Sequence, residues 1–348
     1  MKFTPIWFDS LGAKSSCVLI ATEDVKILID PGIAIMQPSF PAPLAKKLYL
    51  ESLGLRKIKN AMKKADVIVV SHYHYDHYLP NHIELYKGKT LFIKNPNEYI
   101  NDSQRKRAEE FFQSLYGEML DREFEEFLSR KRKIAYPDPL RELKLAMKRD
   151  FGDYAGRRKE VLKAGYEWFR RRTERWNKWF EIKGCDEKKL TVEYAEGRCF
   201  EFGKTRIRFT KPLFHGVEFS RVGWVFSTVV ERKGEKIIHT SDVNGPIIED
   251  YAEWIATENP DILVLDGPMT YMFGYLLNRT NLQRAVENLV RILKTTDTKL
   301  IIYDHHLPRE AKFREHTKEV WEVAKRLKKR LITAAEFLGK TPEVLKYA

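Results

Sequence analysis

Apolar and polar positions along the chain follow two different periods. Short apolar, β-branched runs dominate residues 2–30 and 190–230. The run Ala65-Asp66-Val67-Ile68-Val69-Val70, bounded by polar residues, reads as a buried strand. Residues 25–29, 209–214, 236–238, 260–265 and 300–304 read as further extended runs. Between residues 97 and 183 the pattern changes: charge is dense, helical spacing replaces alternation, and Pro137-Asp138-Pro139 divides the stretch. Its last part, 157–182, predicts a helix with Val161, Gly165, Trp168, Phe169, Trp176, Trp179 and Phe180 along one face. Glu160, Glu167, Glu174 and Glu181 recur every seven residues on another. No internal repeat or low-complexity segment interrupts these patterns.

The residues at the strand ends point to chemistry. His72, His74, Asp76 and His77 come directly after the 65–70 run, as His-x-His-x-Asp-His. A strand end fixes a point in space while its loop bends side chains toward that point, and here the loop is expected to open into a helix. His72 and His74, at i and i+2, can share one ion; Asp76 and His77 can reach a second beside it. Zn²⁺ suits imidazole and carboxylate ligands at about 2.0–2.2 Å, and catalytic sites keep one position open for water. Two ions need further ligands, and three later runs end on candidates. His215 stands before Gly216, Asp242 comes after 236–241, and the pair His305-His306 comes after 300–304. Three such strand ends after one His-x-His-x-Asp-His loop argue for a site assembled along a sheet edge. The remaining histidines are read as structural: His82 on the helix after the loop, His239 facing away from Asp242 by strand alternation, His316 in a charged helix. His306 stays open as an alternate ligand or a proton donor to a leaving group.

On these residues the chain resembles the metallo-β-lactamase superfamily nearly end to end. It also resembles the uncharacterised archaeal predicted hydrolases of that superfamily. The resemblance implies an α/β fold, a four-layer αββα sandwich with a one- or two-metal site at its edge. It makes His72, His74, Asp76 and His77 the signature loop, His215 the next ligand, Asp242 the bridging carboxylate and His305 the last ligand. Residues 25–32, ending Asp30-Pro31-Gly32, resemble the early strand-Asp-x-Gly element, so Asp30 would buttress the site. Residues 260–271 resemble the strand-acid-Thr-aromatic element of the nuclease branches, with Asp266, Thr270 and Tyr271. There Asp266 would stand behind a ligand imidazole; an acidic cap on an ordinary loop is the other reading. Many relatives continue the signature with small, glycine-rich residues, whereas Tyr78-Leu79-Pro80 stands here and changes the pocket wall. In this frame residues 1–348 form one domain, and about 97–183 is a charged helical insertion within it. Substrate and substrate-binding residues stay unassigned.

Composition agrees and adds a bias. The 348 residues are enough to bury a real core, and 32% charged with 12% aromatic residues marks a globular chain. Lys and Arg number 62 against 49 Asp and Glu, a net charge of +13, which favours an anionic partner. Only Gln37, Gln104, Gln113 and Gln283 are glutamines, a bias common in proteins from hot environments. Cys17, Cys185 and Cys199 are an odd, widely spaced set, so a reduced cytoplasmic setting is expected and a disulfide framework is not. Asp9 interrupts the first apolar run, which argues against a signal peptide. No stretch approaches the roughly 18 apolar residues of a membrane span. Gly203-Lys204-Thr205 resembles the end of a phosphate loop, but Arg198 stands where that motif needs glycine.

Residues 157–183 hold ten Lys/Arg and four Glu, with Arg170, Arg171, Arg172 and Arg175 among Trp168, Trp176 and Trp179. Basic and aromatic residues together can hold a nucleic acid. Helical spacing instead favours tryptophans packed on the sandwich and arginines on a solvated face. The expected function is a metal-dependent hydrolase holding Zn²⁺, two ions per chain, with other divalent metals allowed. Asp76 would be both ligand and proton acceptor, and a zinc-bound hydroxide would attack carbon or phosphorus. The expected substrate is an anionic small molecule or nucleic acid, a phosphodiester first. Thioester or lactone hydrolysis, an iron-dependent oxidoreductase and a non-catalytic RNA-binding protein are the alternatives. Oxidoreductases on this fold tend to carry glutamate at the second histidine, which His74 does not match. Homo-oligomers are compatible with all of these.

Overall fold

Alternating apolar positions in the first thirty residues build the antiparallel strands β1 (Lys2–Phe8), β2 (Ser16–Ala21) and β3 (Lys26–Ile29). Helix α1 (Leu44–Met62) crosses back to β4 (Val67–Val70), parallel to β3, and β5 (Thr90–Ile93) comes next, parallel to β4. The charge-dense stretch forms α2 (Asp102–Leu120), β6 (Leu128–Arg130), α3 (Lys144–Lys148), α4 (Ala155–Trp176) and β7 (Phe180–Ile182), which pairs back on β6. β8 (Cys185–Glu187) and β9 (Leu190–Tyr194) then complete a seven-stranded sheet in the order β1-β2-β3-β4-β5-β9-β8.

The second half repeats the plan. β10 (Cys199–Phe202) and β11 (Thr205–Phe209) lead into the short pair β12 (Leu213–Phe214) and β13 (Trp224–Val225). Next come β14 (Thr228–Arg232), β15 (Glu235–His239), α5 (Glu249–Glu258), β16 (Ile262–Asp266) and α6 (Arg279–Thr295). β17 (Leu300–Asp304), α7 (Phe313–His316), α8 (Lys318–Arg326), β18 (Arg330–Ile332) and α9 (Ala334–Phe337) close the chain. This sheet has the order β10-β11-β14-β15-β16-β17-β18, parallel from β15 to β18. The computed structural model describes residues 1–130 and 133–347; Lys131 and Arg132 of the 97–183 stretch, and Ala348, lie outside the described residues.

Strand alternation explains the layers. Ile27, Ile29, Val67 and Val69 share an apolar cluster with Ile237, Val264 and Ile302, so they fill the space between the sheets. Their sequence neighbours Leu28, Ile68, Val70, Ile238, Leu263 and Ile301 cluster with apolar residues of α1, α2, α5, α6 and α8. Both faces of β4 are therefore buried, which is why 67–70 is an unbroken β-branched run. The result is the four-layer αββα sandwich. In parallel segments of this kind, ligands collect at the carboxyl ends of the strands, and β4, β15, β16 and β17 all end on the same edge.

Some local expectations change. No α-helix comes after the signature loop: Leu79-Pro80 forces extended backbone, and the loop reaches only a 3-10 turn at Ile83–Tyr86. His82 precedes that turn, with Nδ1 3.5 Å from Glu84. The helix expected over 157–182 ends at Trp176, because Phe180–Ile182 finds backbone partners on β6 and becomes strand. Phe180 and Val161 are exposed, at 56% and 43%, so they leave the apolar face. Phe169 and Trp176 are its buried members, and Trp168 stacks at 5.6 Å on Trp224. His239 reaches the Ser16 carbonyl across the sheets at 2.8 Å, and His316 pairs with Glu310 at 2.7 Å. Among the described residues no helix is long and apolar enough to cross a membrane.

Candidate metal centre

The strand ends converge. Asp242, in the loop after β15, lies at the middle: its Oδ2 is 3.4 Å from His72 Nε2, 3.3 Å from His77 Nε2, 3.1 Å from His215 Nε2 and 3.6 Å from His306 Nε2. Its Oδ1 is 3.4 Å from His305 Nε2. His72 Nε2 and His74 Nδ1 are 2.9 Å apart. Asp76 faces the other half, 4.0 Å from His77 Nε2 and 3.8 Å from His305 Nε2. Donor atoms of His72, His74, His215 and Asp242 all lie within 4.8 Å of one another, as do those of Asp76, His77 and His305. Asp242, His305 and His306 form a third such group. Every metal-capable residue singled out in the sequence is thus brought to one place, with His306 beside His305.

Backbone conformation and close contacts hold these residues there. Gly32 lies so close to the loop that a Cβ would come within 2.1 Å of the His77 nitrogen. Asp30, Ser241, Asn244, His305 and His306 all adopt positive φ, from 32° to 61°. Non-glycine residues seldom do this, and such strain gathers at functional sites. Behind the converging imidazoles stand carboxylates. Asp30 Oδ2 is 2.9 Å from His77 Nδ1 and also accepts from the Ser71 hydroxyl at 2.7 Å. Asp266 Oδ2 lies 3.5 Å from His306 Nδ1, and its carboxylate accepts from the backbone N–H groups of Val243 and Asn244. So Asp266 stands behind His306, while another acid stands behind His305.

That acid is Asp9, at the end of β1. Its Oδ1 is 3.0 Å from His305 Nδ1, and its Oδ2 accepts from the His306 backbone N–H and from Arg309. The signal was present, an apolar strand ending on aspartate just as 25–30 does, but no local motif marked it. Arg309, 3.4 Å from Asp76 Oδ2, was equally silent in the sequence.

Burial sets the protonation pattern. It drives His72 and His74 down, helped by the neighbouring His77 and His215, His74 to about 3. Both are held neutral, the form that binds metal. Burial also opposes charge on His305, yet Asp9 and Asp242 outweigh it and lift the group to about 10. His77 is raised in the same way by Asp242 and Asp30. His77 Nε2, His305 Nε2, both His215 nitrogens and both Asp242 oxygens are buried without a hydrogen-bond partner. Orphaned buried polar atoms are costly, and the Nε2 atoms of His77, His215 and His305 each lie within 3.4 Å of an Asp242 oxygen. Nitrogen and carboxylate donors of this kind fit divalent metal.

A sequence model of the metallo-beta-lactamase superfamily matches residues 12–83, which include the signature loop. Over that segment the chain is similar to the metallo-β-lactamase superfamily, and the donor set gathered around it is of the kind that can hold divalent metal. The chain belongs to the UPF0282 family. The UPF0282 protein of Methanopyrus kandleri is 30% identical over 358 residues, spanning 99% of this chain and 96% of that protein. The UPF0282 protein of Korarchaeum cryptofilum is 30% identical over 347 residues, spanning 99% and 92%. Among solved structures, a possible metal-dependent hydrolase from Veillonella parvula is similar over 92% of this chain and 94% of that one, with 10% identity and a TM-score of 0.47.

Proposed function

We propose that this chain is a dinuclear metal-dependent hydrolase of an anionic substrate, with a phosphodiester the first candidate. The observation that carries the reading is Asp242, whose two buried, unpartnered oxygens lie among the Nε2 atoms of His72, His77, His215, His305 and His306. One ion would be held by His72, His74 and His215, the other by Asp76, His77 and His305, with Asp242 between them. Bound there, divalent ions supply Lewis acidity and bring the pKa of a coordinated water from 15.7 toward about 7. The chain's own groups do the rest. Burial works against the Asp76 charge, but His77, His305 and Arg309 outweigh it and keep the carboxylate ionised. It can therefore accept a hydrogen bond from the attacking water and aim it. Asp9, Asp30 and Asp266 hold His305, His77 and His306 in register. His306 serves as alternate ligand or proton donor to the leaving group.

Zinc fits this donor set, and the free cysteines Cys17, Cys185 and Cys199 fit a reduced cytoplasmic setting. The test pairs metal analysis with a substrate panel. Plasma emission on protein purified without chelator should give about two zinc-like ions per chain. Chromogenic phosphodiesters, phosphomonoesters, thioesters and lactones should then separate the substrate classes. Phosphodiester turnover that vanishes in Asp76→Ala supports the proposal. Turnover confined to thioesters or lactones overturns the substrate class alone. Iron with a redox-active spectrum overturns the hydrolase.

A further inference from the structure

Helix α2 begins beside the candidate metal centre, and its first turn reaches both loops that bring imidazoles there. Asn101 caps the helix: its Oδ1 accepts the Gln104 N–H at 2.8 Å, while its Nδ2 donates to the carbonyls of Arg221 and Val222 at 2.9 and 2.7 Å. Those carbonyls belong to the hairpin between β12 and β13, where the His215 N–H donates to the Gly223 carbonyl at 3.1 Å. Gln104 is fully buried. Its Oε1 accepts the N–H of Tyr73, between His72 and His74, at 3.1 Å, and its Nε2 donates to the Val222 carbonyl at 2.8 Å. The same Nε2 lies 3.4 Å from His74 Nε2, while His74 Nδ1 faces His72. One amide thus joins the signature loop to the His215 hairpin.

Chemistry leaves this amide one orientation. A backbone N–H needs its oxygen and a carbonyl needs its NH₂ group, so turning the amide over would break both bonds. Losing either partner would leave a buried polar group unsatisfied, which is why such a bridge holds two loops at a fixed separation. The approach is close: Gly223 has a φ of 121°, and a Cβ there would lie 2.9 Å from Gln104 Nε2. The hairpin also meets α4. A Cβ on Gly165 would lie 2.6 Å from the Phe219 side chain, and Arg158 donates to Glu218 at 2.8 Å. Both long helices of the charge-dense 97–183 stretch therefore hold the hairpin that carries His215.

We propose that Gln104, supported by Asn101, is a positioning residue: it fixes the separation of His74 from His215 and so sets the affinity for an ion held by His72, His74 and His215. The 97–183 stretch is then part of the metal centre and not an appendage to it. The inference rests on the metal-binding reading above for the ion, and on the hydrogen bonds alone for the clamp. Groups that orient ligands in this way alter metal affinity about 10–100-fold.

The experiment uses the full-length protein. Gln104→Met keeps the length of the side chain and removes both amide bonds. Asn101→Asp, at a half-buried position, keeps an oxygen to cap α2 and removes the donor to Arg221 and Val222; it carries the test if Gln104→Met does not fold. Chelator competition with zinc should show affinity for one ion per chain lowered about 10–100-fold in Gln104→Met and by a smaller factor in Asn101→Asp. In metal-free protein, backbone hydrogen exchange over residues 72–77 and 213–225 should speed up in both variants. Zinc affinity unchanged in a folded variant overturns the proposal, even where the melting temperature falls, and leaves Gln104 a structural role. A wild type that takes up no divalent ion sinks the metal-binding reading. The clamp is then judged by exchange alone, and unchanged protection in the variants overturns it.

Discussion

Asp9 shows how much one side chain can organise: four donors from Ser15, His305, His306 and Arg309 meet its carboxylate in a fully buried position. Replacing it by asparagine keeps the shape but removes the charge that orients His305. Affinity for the ion on the Asp76 side should then fall about 10–100-fold, as when carboxylates behind a ligand are removed elsewhere. Chelator competition reads this directly; unchanged affinity would return Asp9 to a purely structural role. Gly32→Ala is the steric counterpart. A Cβ at 2.1 Å from the His77 nitrogen has no flexible side chain to push aside, only loop backbone. The variant should lose metal content and melt earlier, and a normal melt with full metal would refute the close-approach argument. At this scale the residues that converge on Asp242 were legible because each is metal-capable and comes shortly after a strand. Asp9 carried the same signal without the local motif that made Asp30 stand out. Arg309 had no pattern at all, since its meaning comes from carboxylates distant in sequence.

At the level of elements, α4 shows where periodicity stops being informative. Its spacing correctly marked Phe169 and Trp176 as buried, and the Trp176 indole N–H donates to the Ile100 carbonyl at 2.9 Å. It could not show that Val161 lies beyond the surface α4 packs on, nor that Phe180 would be captured by β6. Trp176→Ala should therefore cost about 3–5 kcal/mol in denaturant unfolding. Trp168→Ala, which loses a stacked pair at the rim, should cost nearer about 1 kcal/mol. Equal costs would mean that α4 is buried more uniformly than its side chains indicate. Arg172 and Arg175 both pair with Asp102 at the start of α2, so part of the basic cluster is spent inside the fold. A second tie joins α5 to the second sheet: Glu258 bonds Arg208 at 2.7 Å and Lys236 at 2.8 Å. Partial burial pushes this carboxyl up, but the two bonds outweigh it and bring it from 4.5 to about 2. A depressed carboxyl stabilises the fold fully above its unfolded pKa, near 4.5, and ceases to as pH falls through about 2. The stability gap between wild type and Glu258→Gln should accordingly be widest above pH 4.5 and close toward about pH 2. A gap that did not change with pH would assign the effect to packing.

Across the whole molecule, the two sheets meet so that strands far apart in sequence end on one edge, and the chain as a whole carries an excess of positive charge. Sixty-two basic against forty-nine acidic side chains give the net +13. Much of this charge is paired locally, as at Arg208, Arg232 and Arg284, whose carboxylate partners cancel their field at a distance. The remaining excess acts over a screening length of about 10 Å at 0.1 M salt and about 3 Å at 1 M. A small anion approaching the centre should feel it; a neutral ester or lactone should not. For an anionic phosphodiester, kcat/KM is therefore expected to fall steeply between low and high ionic strength, while a neutral lactone, if turned over, stays nearly flat.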